Sequence, residues 1–562
     1  MKGKITISLG LLCLFTSLQA QDLSNPENLK DIYLTGGMSA RFIGYNASGI
    51  PDRRRPFTYV LGANATVNAL DWSVPFSFTY SNQQYVFSQP FNQFGLSPTY
   101  KWATLHLGYR NINFSPYTLS GHQMLGAGFE VKPGRFRVSF ISGRLRRVVR
   151  QDTTLLSARR PVYKRKGWAA RVGYATAQNN IDLIVLKAKD DEGSLEFPET
   201  QQLETAQDQV LPGENLVIGI NARQLILKRL TLNVDAASSI FVRDRRLEEI
   251  SRDDLPKIAR WFGGLVNANT STQVNNSIKT GLSYGQKTFN IKGYFLRIDP
   301  DYESMGSYFI NNDLLAYNLS TTVRLFQGRV SLNGAITRQE DNLRSQKSST
   351  NRRVLPAAGI QVIPFPNMGF GMQYTNYTSL QLEGNLPLDN ALKTDQQNPI
   401  LNFNAYYQRA DTIKSHIVSA SLSRAELIDD NLLTREFTQY VGNTFNLTYS
   451  FSHVPSGLGV NLSYNNNQLK SFNGDLPGSG YSIGGSKNWE DLGIQANLNI
   501  SFSRQSGTNS NSINGGVTLS RKIHSVSLNI NRLNTVLQES DIKEFTIYTM
   551  YSVRFNTKKK KG

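Results

Sequence analysis

Residues 492–502 read LGIQANLNISF, so apolar and polar side chains alternate one by one. The apolar set is Leu492, Ile494, Ala496, Leu498, Ile500 and Phe502, and the residues between them are Gly, Gln, Asn, Asn and Ser. A period of two places successive side chains on opposite faces of a β-strand. This stretch therefore predicts a strand with one apolar face and one small, polar face.

The same alternation recurs along the chain, for example at residues 445–451, 458–464 and 526–530. A soluble β-sandwich gives the same pattern strand by strand, but its persistence favours a membrane barrel. In a barrel only every second residue faces lipid, which agrees with a mean hydropathy of −0.35. Aromatic residues make up 10% of the chain and Gly occurs 44 times, a composition that suits strands better than helices.

Short turn signals and longer polar loops alternate between the predicted strands. The turn signals are Asp71, Lys101, Pro133-Gly134, Asn179-Asn180, Lys228-Arg229, Gln286-Lys287, Gln327-Gly328, Pro366-Asn367, Asp411-Thr412, Pro455-Gly457, Trp489-Asp491 and Arg521-Lys522. The loops include residues 47–55, 150–166, 190–213, 243–275, 299–312, 339–352 and 380–398. Short turns at one end and long loops at the other are typical of outer-membrane barrels, with turns in the periplasm and loops outside.

We therefore predict an all-β fold, a single large antiparallel transmembrane barrel of about 26 strands, with about 24 as the lower bound. The barrel must be closed, because lipid offers no hydrogen-bond partner to a free strand edge. The stretch 94–102 is the weakest strand, because it contains Pro98.

The first twenty residues are typical of a cleaved signal peptide. Lys2 and Lys4 precede an apolar stretch that ends near Ala20, which predicts Sec export to the outer membrane of a Gram-negative bacterium. Cys13, the one cysteine, lies inside it, so we expect no disulfide in the mature chain. The predicted order is a signal peptide at 1–20, a periplasmic segment at 21–31, the barrel at 32–556 and a basic periplasmic tail at 557–562.

The last predicted strand carries a second targeting feature. Tyr551, Val553 and Phe555 alternate with polar residues and end the amphipathic pattern on an aromatic side chain. We expect this pattern to be the signal that the barrel-assembly machinery reads.

At residues 113–121 (NFSPYTLSG) and 299–309 (DPDYESMGSYF) the chain resembles uncharacterised outer-membrane barrels of Bacteroidota. The resemblance extends through most of the mature chain and implies a porin-like barrel in a phylum that uses many such proteins for nutrient uptake and secretion. It departs from TonB-dependent receptors, because about ten residues before the first strand leave no room for a plug domain.

A barrel of this width needs something in its lumen, since barrels of about 22 strands already hold a plug. Inward loops, a partner chain such as a plug or secretion-complex subunit, or a cargo could fill it. The longest loop contains a predicted helix in which Leu255, Ile258 and Phe262 share one face. This helix is either a surface element or a lid over the pore.

The chain carries 61 Lys and Arg against 42 Asp and Glu. Basic clusters at 53–55, 144–150 and 159–166 lie near predicted outer loops, where they would neutralise lipopolysaccharide phosphates or attract an anionic solute. Strand parity predicts inward-facing cations that favour anions, and these are Arg110, Arg135, Arg137, Arg171, Lys292 and Arg324. Late strands instead place Asn, Ser and Gln inward, as a neutral or carbohydrate path would.

Catalytic and metal sites are not predicted. His106 faces inward beside Thr104, but no nucleophile and carboxylate complete a site around it. We expect no enzyme activity, no cofactor, no metal and no nucleic-acid partner. The leading hypothesis is a passive channel or translocation pore for a polar or anionic solute or polymer. A closed docking barrel of a secretion or envelope complex is the alternative, and a lipid-acting barrel enzyme is the third.

Overall fold

The computed structural model describes residues 32–82, 91–150, 161–195, 210–251, 260, 264–389, 393–537 and 541–557. These residues form one closed antiparallel barrel of 26 strands, which confirms the predicted fold and strand number. The strands are β1 Tyr33–Ser48, β2 Phe57–Ala69, β3 Trp72–Ser81, β4 Gln93–Leu96 with Thr99–Tyr100, β5 Ala103–Asn111, β6 Gln123–Val131, β7 Phe136–Arg146, β8 Lys164–Ala175, β9 Asn180–Asp191, β10 Glu214–Ile226, β11 Leu230–Val242, β12 Thr272–Gly285, β13 Phe289–Ile298, β14 Leu314–Leu325, β15 Val330–Glu340, β16 Ser349–Phe365, β17 Met368–Glu383, β18 Asp395–Ala410, β19 Lys414–Asp429, β20 Tyr440–His453, β21 Leu458–Ser471, β22 Gly474–Trp489, β23 Ile494–Gln505, β24 Thr508–Arg521, β25 His524–Val536 and β26 Asp541–Asn556.

The ring closes between the first and the last strand. β1 pairs with β26 from Thr35 opposite Asn556 to Ser48 opposite Lys543, so each strand has two neighbours. Strand β4 is interrupted between its two segments, where Pro98 cannot donate a ladder hydrogen bond. This is the stretch that was predicted to be the weakest strand.

All twelve predicted short turns join consecutive strands at one end of the barrel, the periplasmic end. Several need a left-handed residue, such as Leu70 with φ 57° and Lys522 with φ 53°. At the opposite end of the barrel, the connections between the later strands are shorter than predicted. Hairpins β21–β22 and β23–β24 are closed there by two residues each, and Ser506 and Gly507 both have positive φ, as a tight hairpin turn requires. Long outer loops are therefore a feature of the earlier strands.

The outward face is apolar and bounded by aromatic side chains. Near the periplasmic end Trp72 contacts Tyr100 and Phe136 contacts Tyr174, with ring centroids 5.0 and 5.5 Å apart. Tyr80 belongs to the opposite belt, eight residues beyond Trp72 on the same strand. With about 3.3 Å per residue and a tilt of about 40°, the two belts are roughly 20 Å apart, close to the apolar band of outer-membrane barrels.

Helices are few and short in the described part of the chain. They are Glu192–Ser194 and Phe326–Gly328, both 3-10 turns, and the single α-turn Arg435–Thr438. None of the described helices is long and apolar enough to cross a membrane.

Strand β26 carries the proposed assembly signal at the periplasmic end. Tyr551, Val553 and Phe555 alternate on the same outward face as Phe545, whose side chain is exposed. Beyond the strand, the Thr557 amide donates to the Leu34 carbonyl at 2.9 Å. The predicted signal peptide, the segment at 21–31 and residues 558–562 lie outside the described residues.

Candidate functional site

Two loops turn back into the lumen and form the larger of the two buried apolar clusters in the described part of the chain. We refer to residues 112–122, between β5 and β6, and 299–308, between β13 and β14, as the inner module. Its side chains pack against Leu186 and Val217, both fully buried. Those two wall residues alternate with the exposed, lipid-facing Leu183 and Ile220, so the face they share points inward.

The two loops of the inner module bond to each other. Gly306 and Ser307 pair in parallel with Leu119 and Ser120 as a two-residue sheet. The Tyr302 hydroxyl donates to the Tyr117 carbonyl at 2.7 Å, and the Ser304 hydroxyl donates to the Thr118 carbonyl at 2.5 Å. The module is therefore one folded unit and not two separate loops.

Polar side chains of the wall anchor this unit. The Asn215 carbonyl oxygen Oδ1 accepts from the Met305 amide at 3.0 Å, and its Nδ2 donates to the Ser239 hydroxyl at 2.8 Å. Ser239 in turn donates to the Glu303 carbonyl at 2.6 Å. Both Asn215 and Ser239 are fully buried, and these contacts satisfy polar groups that burial would otherwise penalise.

Two glycines allow the close approach of the module to the wall. A Cβ at Gly219, on β10, would lie 2.7 Å from the Thr118 methyl group. A Cβ at Gly306 would lie 2.6 Å from Leu186 Cδ2 and from the Thr118 carbonyl oxygen. Side chains at these positions would push the loops away from β9 and β10.

The edge of the module carries a stacked histidine. His122 is buried and lies 3.8 Å from the Tyr308 ring, with 18° between the ring planes. Burial and, to a lesser degree, the nearby guanidinium groups of Arg165 and Arg146 together lower the pKa of His122 to about 4. Burial also raises the pKa of Tyr117 to about 12. Both side chains are therefore neutral at physiological pH.

Three of the predicted lumen cations face inward and contact polar partners. Arg110 donates to the Ser77 hydroxyl at 2.9 Å. Arg137 makes a bidentate ion pair with Asp182, with Nε 2.6 Å from Oδ1. Arg171 donates to Ser139 at 2.9 Å, lies 3.6 Å from a Glu130 oxygen and stacks over the Phe114 ring.

The other three are placed differently. Lys292 faces inward opposite Ser283 and borders a cavity of about 540 Å³ together with Lys279 and Asp235. Arg324 is exposed on the inward face, near the periplasmic end. The prediction for Arg135 is wrong. It lies in the β6–β7 turn and donates to the Tyr174 hydroxyl on the outward face, because strand parity does not extend into a turn.

The sequence interpretation missed the acids that pair with several of the inward-facing arginines. Asp182 and Asp190 are almost completely buried on the inward face of β9. Asp190 accepts from Arg165 at 2.8 and 3.0 Å and from Arg146 at 3.3 Å. A bulge in β7 opposite Arg165 and Lys166 turns Arg146 inward, against simple alternation. The sequence did contain a signal for these acids. Asp182 lies between the apolar residues Ile181 and Leu183, and Asp190 has the same parity along the strand.

The described strand positions on the opposite side of the lumen carry few charges, and we call this side the neutral wall. Arg53 and Arg54 of the β1–β2 loop border it beside Asn514 and Asn531. The neutral wall consists of the inward positions of β17–β25, which alternate with exposed residues such as Leu498 and Phe502. One row of paired residues across it is Asn404, Ser421, Asn446, Asn465 and Gly480. Among these described inward positions the only charged residues are Glu383 and Asp429, both at the outer ends of their strands.

The predicted lid helix, with Leu255, Ile258 and Phe262, lies outside the described residues. A neighbouring part of the same loop is described. Val266 and Ala268 pack on an apolar cluster formed by the strand residues Leu216, Ile240 and Val242. Leu216 shares its face with the exposed Ile220, so this cluster is on the outside of the barrel. The described part of the loop thus favours the surface interpretation over the lid.

Among the described residues, no catalytic or metal constellation forms around the predicted positions. The Ser97 hydroxyl lies 3.0 Å from His106 Nδ1, while His106 Nε2 is buried without a hydrogen-bond partner. Among the described residues no carboxylate bonds to His106, so the pair lacks the acid of a hydrolase triad. In the same part of the chain no three His, Cys, Asp or Glu side chains gather as a metal site.

The chain was compared with protein families, with curated proteins and with solved structures. No protein-family model and no curated protein matches the sequence. Among solved structures, the outer membrane protein OpdK of Pseudomonas aeruginosa aligns with 61% of this chain and 93% of its own, at 10% identity and a TM-score of 0.31. The PapC translocation pore of the P pilus usher aligns with 93% of this chain and 100% of its own, at 13% identity and a TM-score of 0.38. Neither likeness assigns a family or a function to this chain.

Proposed function

We propose that the protein is a passive pore of the outer membrane and that polar, uncharged solutes or polymers cross it along the neutral wall. The observation that carries the proposal is the absence of cations from the described inward positions of β17–β25, where Asn, Ser, Thr, Gln and Gly predominate. Amide and hydroxyl groups exchange hydrogen bonds with water or with sugar hydroxyls without a preference for either ionic sign.

The paired charges on the other side of the lumen lead us to expect weak ion selectivity. Arg137 and Arg165 each contact a buried carboxylate, and Arg171 lies close to Glu130. A compensated cation contributes little net field to the pore. We therefore favour a neutral solute over the anionic solute that a count of inward cations had suggested.

We infer that the inner module is itself a fixed obstruction on one side of the pore. Its loops are bonded to each other and to the fully buried Asn215 and Ser239, so the lumen beside strands β5–β13 is filled at this depth. The neutral wall lies on the other strands, and the proposed path follows it.

Reconstitution in planar bilayers tests the proposal. Purified protein should give a stable ohmic conductance with a reversal potential near zero in a salt gradient, and liposomes containing it should swell in neutral oligosaccharide. The double variant Asn446→Lys with Asn465→Lys should make the pore anion-selective, because the two residues face each other on adjacent strands. The matched pair Asn446→Asp with Asn465→Asp should shift the reversal potential in the opposite direction.

Two results would contradict the proposal. If both charge variants leave the reversal potential of a conducting barrel unchanged, ions do not pass along the neutral wall. If the folded protein and its variants are all electrically silent and do not admit oligosaccharide, the docking-barrel alternative replaces the pore.

A further inference from the structure

A cluster of cations lies on the outward face of the barrel, outside the lumen. Arg144 on β7, Lys166 on β8 and Lys189 on β9 occupy positions directly opposite one another across three strands. They share the face of Trp168, which stacks against the lipid-facing Phe140 at 6.3 Å. The outward cluster therefore belongs to the membrane surface and not to the pore.

A row of like charges on adjacent strands is unusual, because directly opposed side chains are about 5 Å apart and like charges repel there. Among the described residues the repulsion within this row is only partly relieved. Lys166 lies 3.7 Å from Asp191, and Arg144 donates to the Tyr109 hydroxyl, a neutral partner. An external anion would remove the remaining repulsion.

The row also has a built cavity beside it. A hollow of about 660 Å³ is bordered by five cations and a single acid, together with Trp168 and residues 264–267 of the long loop; the charged side chains are Arg144, Lys166, Lys187, Lys189, Arg245 and Glu214. Glu214 already pairs with both Lys187 and Arg245. Among the described charged side chains that border the cavity, the three cations of the row are the ones that Glu214 does not pair with.

The height of the cluster on the barrel identifies the anion. Lys166 lies eight residues from Tyr174 of the periplasmic aromatic belt, the same separation that Tyr80 of the outer belt has from Trp72. Aromatic belts mark the boundary between the apolar core and the headgroups. A cation row at the height of the outer belt therefore lies at the depth of the headgroup phosphates of the outer leaflet.

We propose that Arg144, Lys166 and Lys189 form a binding site for the phosphate groups of an anionic outer-leaflet glycolipid, with Trp168 in contact with its acyl region. Guanidinium and ammonium groups are suited to phosphate oxygens, and anionic lipids are attracted to basic clusters at the membrane surface. The site is independent of the lumen, so it stands whether or not the barrel conducts.

Native mass spectrometry of the purified barrel tests the site. Diphosphorylated lipid A is titrated against the wild-type barrel and against the triple variant Arg144→Gln, Lys166→Gln, Lys189→Gln. Affinity should fall at least tenfold in this variant. The control variant Lys414→Gln, Arg521→Gln, Lys522→Gln removes three exposed cations at the periplasmic end and should bind like the wild type.

Further lipids distinguish the chemistry, and heat-modifiable migration on gels verifies that each variant is folded. Dephosphorylated lipid A should bind the wild-type barrel at least tenfold more weakly, and phosphatidylglycerol should bind more weakly than diphosphorylated lipid A. Equal binding by the folded triple variant, or equal binding of the dephosphorylated lipid, would overturn the site. Equal binding of phosphatidylglycerol would overturn its assignment to a glycolipid.

Discussion

The Tyr302 hydroxyl donates a 2.7 Å hydrogen bond to the carbonyl of Tyr117, across 185 residues of sequence. Both residues are buried, and each belongs to a loop that returns into the lumen. The barrel ladder alone would not bring these loops together. Their contact makes the inside of the barrel a folded structure in its own right, and it can be tested separately from the wall.

We predict that loss of this hydrogen bond destabilises the inner module. Tyr302→Phe leaves the buried Tyr117 carbonyl without its donor, which should cost about 1–2 kcal/mol within the inner module. Hydrogen exchange of residues 112–122 should become faster, while the strands stay protected. Tyr317→Phe, on the lipid-facing side, is the matched control and should leave exchange unchanged. Equal protection of residues 112–122 in both variants would show that the bond does not hold the loops.

A steric prediction follows from the contact between β10 and the module. Gly219→Ala places a methyl group against the Thr118 Cγ2 atom and should destabilise the module by about 1–3 kcal/mol. Thr118→Ser removes that Cγ2 atom and keeps the hydroxyl, so the double variant should recover most of the loss. Thermal unfolding and hydrogen exchange of the four proteins measure the coupling. Additive effects would contradict the contact.

A third prediction concerns charge compensation in the lumen. Arg137→Gln leaves the buried carboxylate of Asp182 without its ion pair, so the pore should become more cation-selective and the barrel less stable. Adding Asp182→Asn should restore both the reversal potential and the stability toward wild type. The reversal potential in a salt gradient, measured on the single and double variants, checks this. A shift toward anion selectivity in Arg137→Gln would contradict the prediction.

The fourth prediction concerns pH. The pKa of His122 is about 4 in the folded protein, below its ordinary value of 6.5, so the unfolded chain takes up the proton first as pH falls. The contribution of neutral His122 to the free energy of unfolding is fully present above about pH 6.5. It is lost as the pH falls toward 4, and the loss amounts to up to about 3 kcal/mol. Hydrogen exchange of residues 112–122 should accelerate over this window in the wild type. His122→Gln should flatten that dependence, and an unchanged pH profile in this variant would contradict the assignment.

The last prediction addresses assembly. Phe555→Ala removes the final aromatic side chain of β26, and we expect less heat-modifiable, folded barrel in outer membranes. Phe545→Ala changes the same face at the other end of the strand and serves as its control. If both variants lower the folded fraction equally, the loss reflects lipid-face packing and not a terminal signal.

The wall of the barrel could be predicted from the sequence because its determinants are local. Alternation over residues such as 492–502 sets strand and face, and turn residues such as Lys522 set the hairpins. Local rules fail where a strand is irregular. The bulge near Arg146 and the turn at Arg135 both break the parity on which the lumen assignments depended.

The inner module could not be predicted in the same way. Residues 113–121 and 299–309 were noticed as motifs, but neither alternates, and their packing depends on strands far apart in sequence. The contact of Gly219 with Thr118 and the anchoring by Asn215 are visible only once β10 and the loops are placed together. The cation row of the outward cluster likewise depends on strand register, which composition does not give.

The apolar cluster of the inner module draws its buried members from residues 112–305 alone. The seam between β1 and β26, by contrast, needs both ends of the barrel. The strands from β5 to β13 therefore share a buried core that includes no residue of the closing seam. Among the described residues the strands of the neutral wall have no comparable core, so closure of the ring is the long-range contact that fixes them.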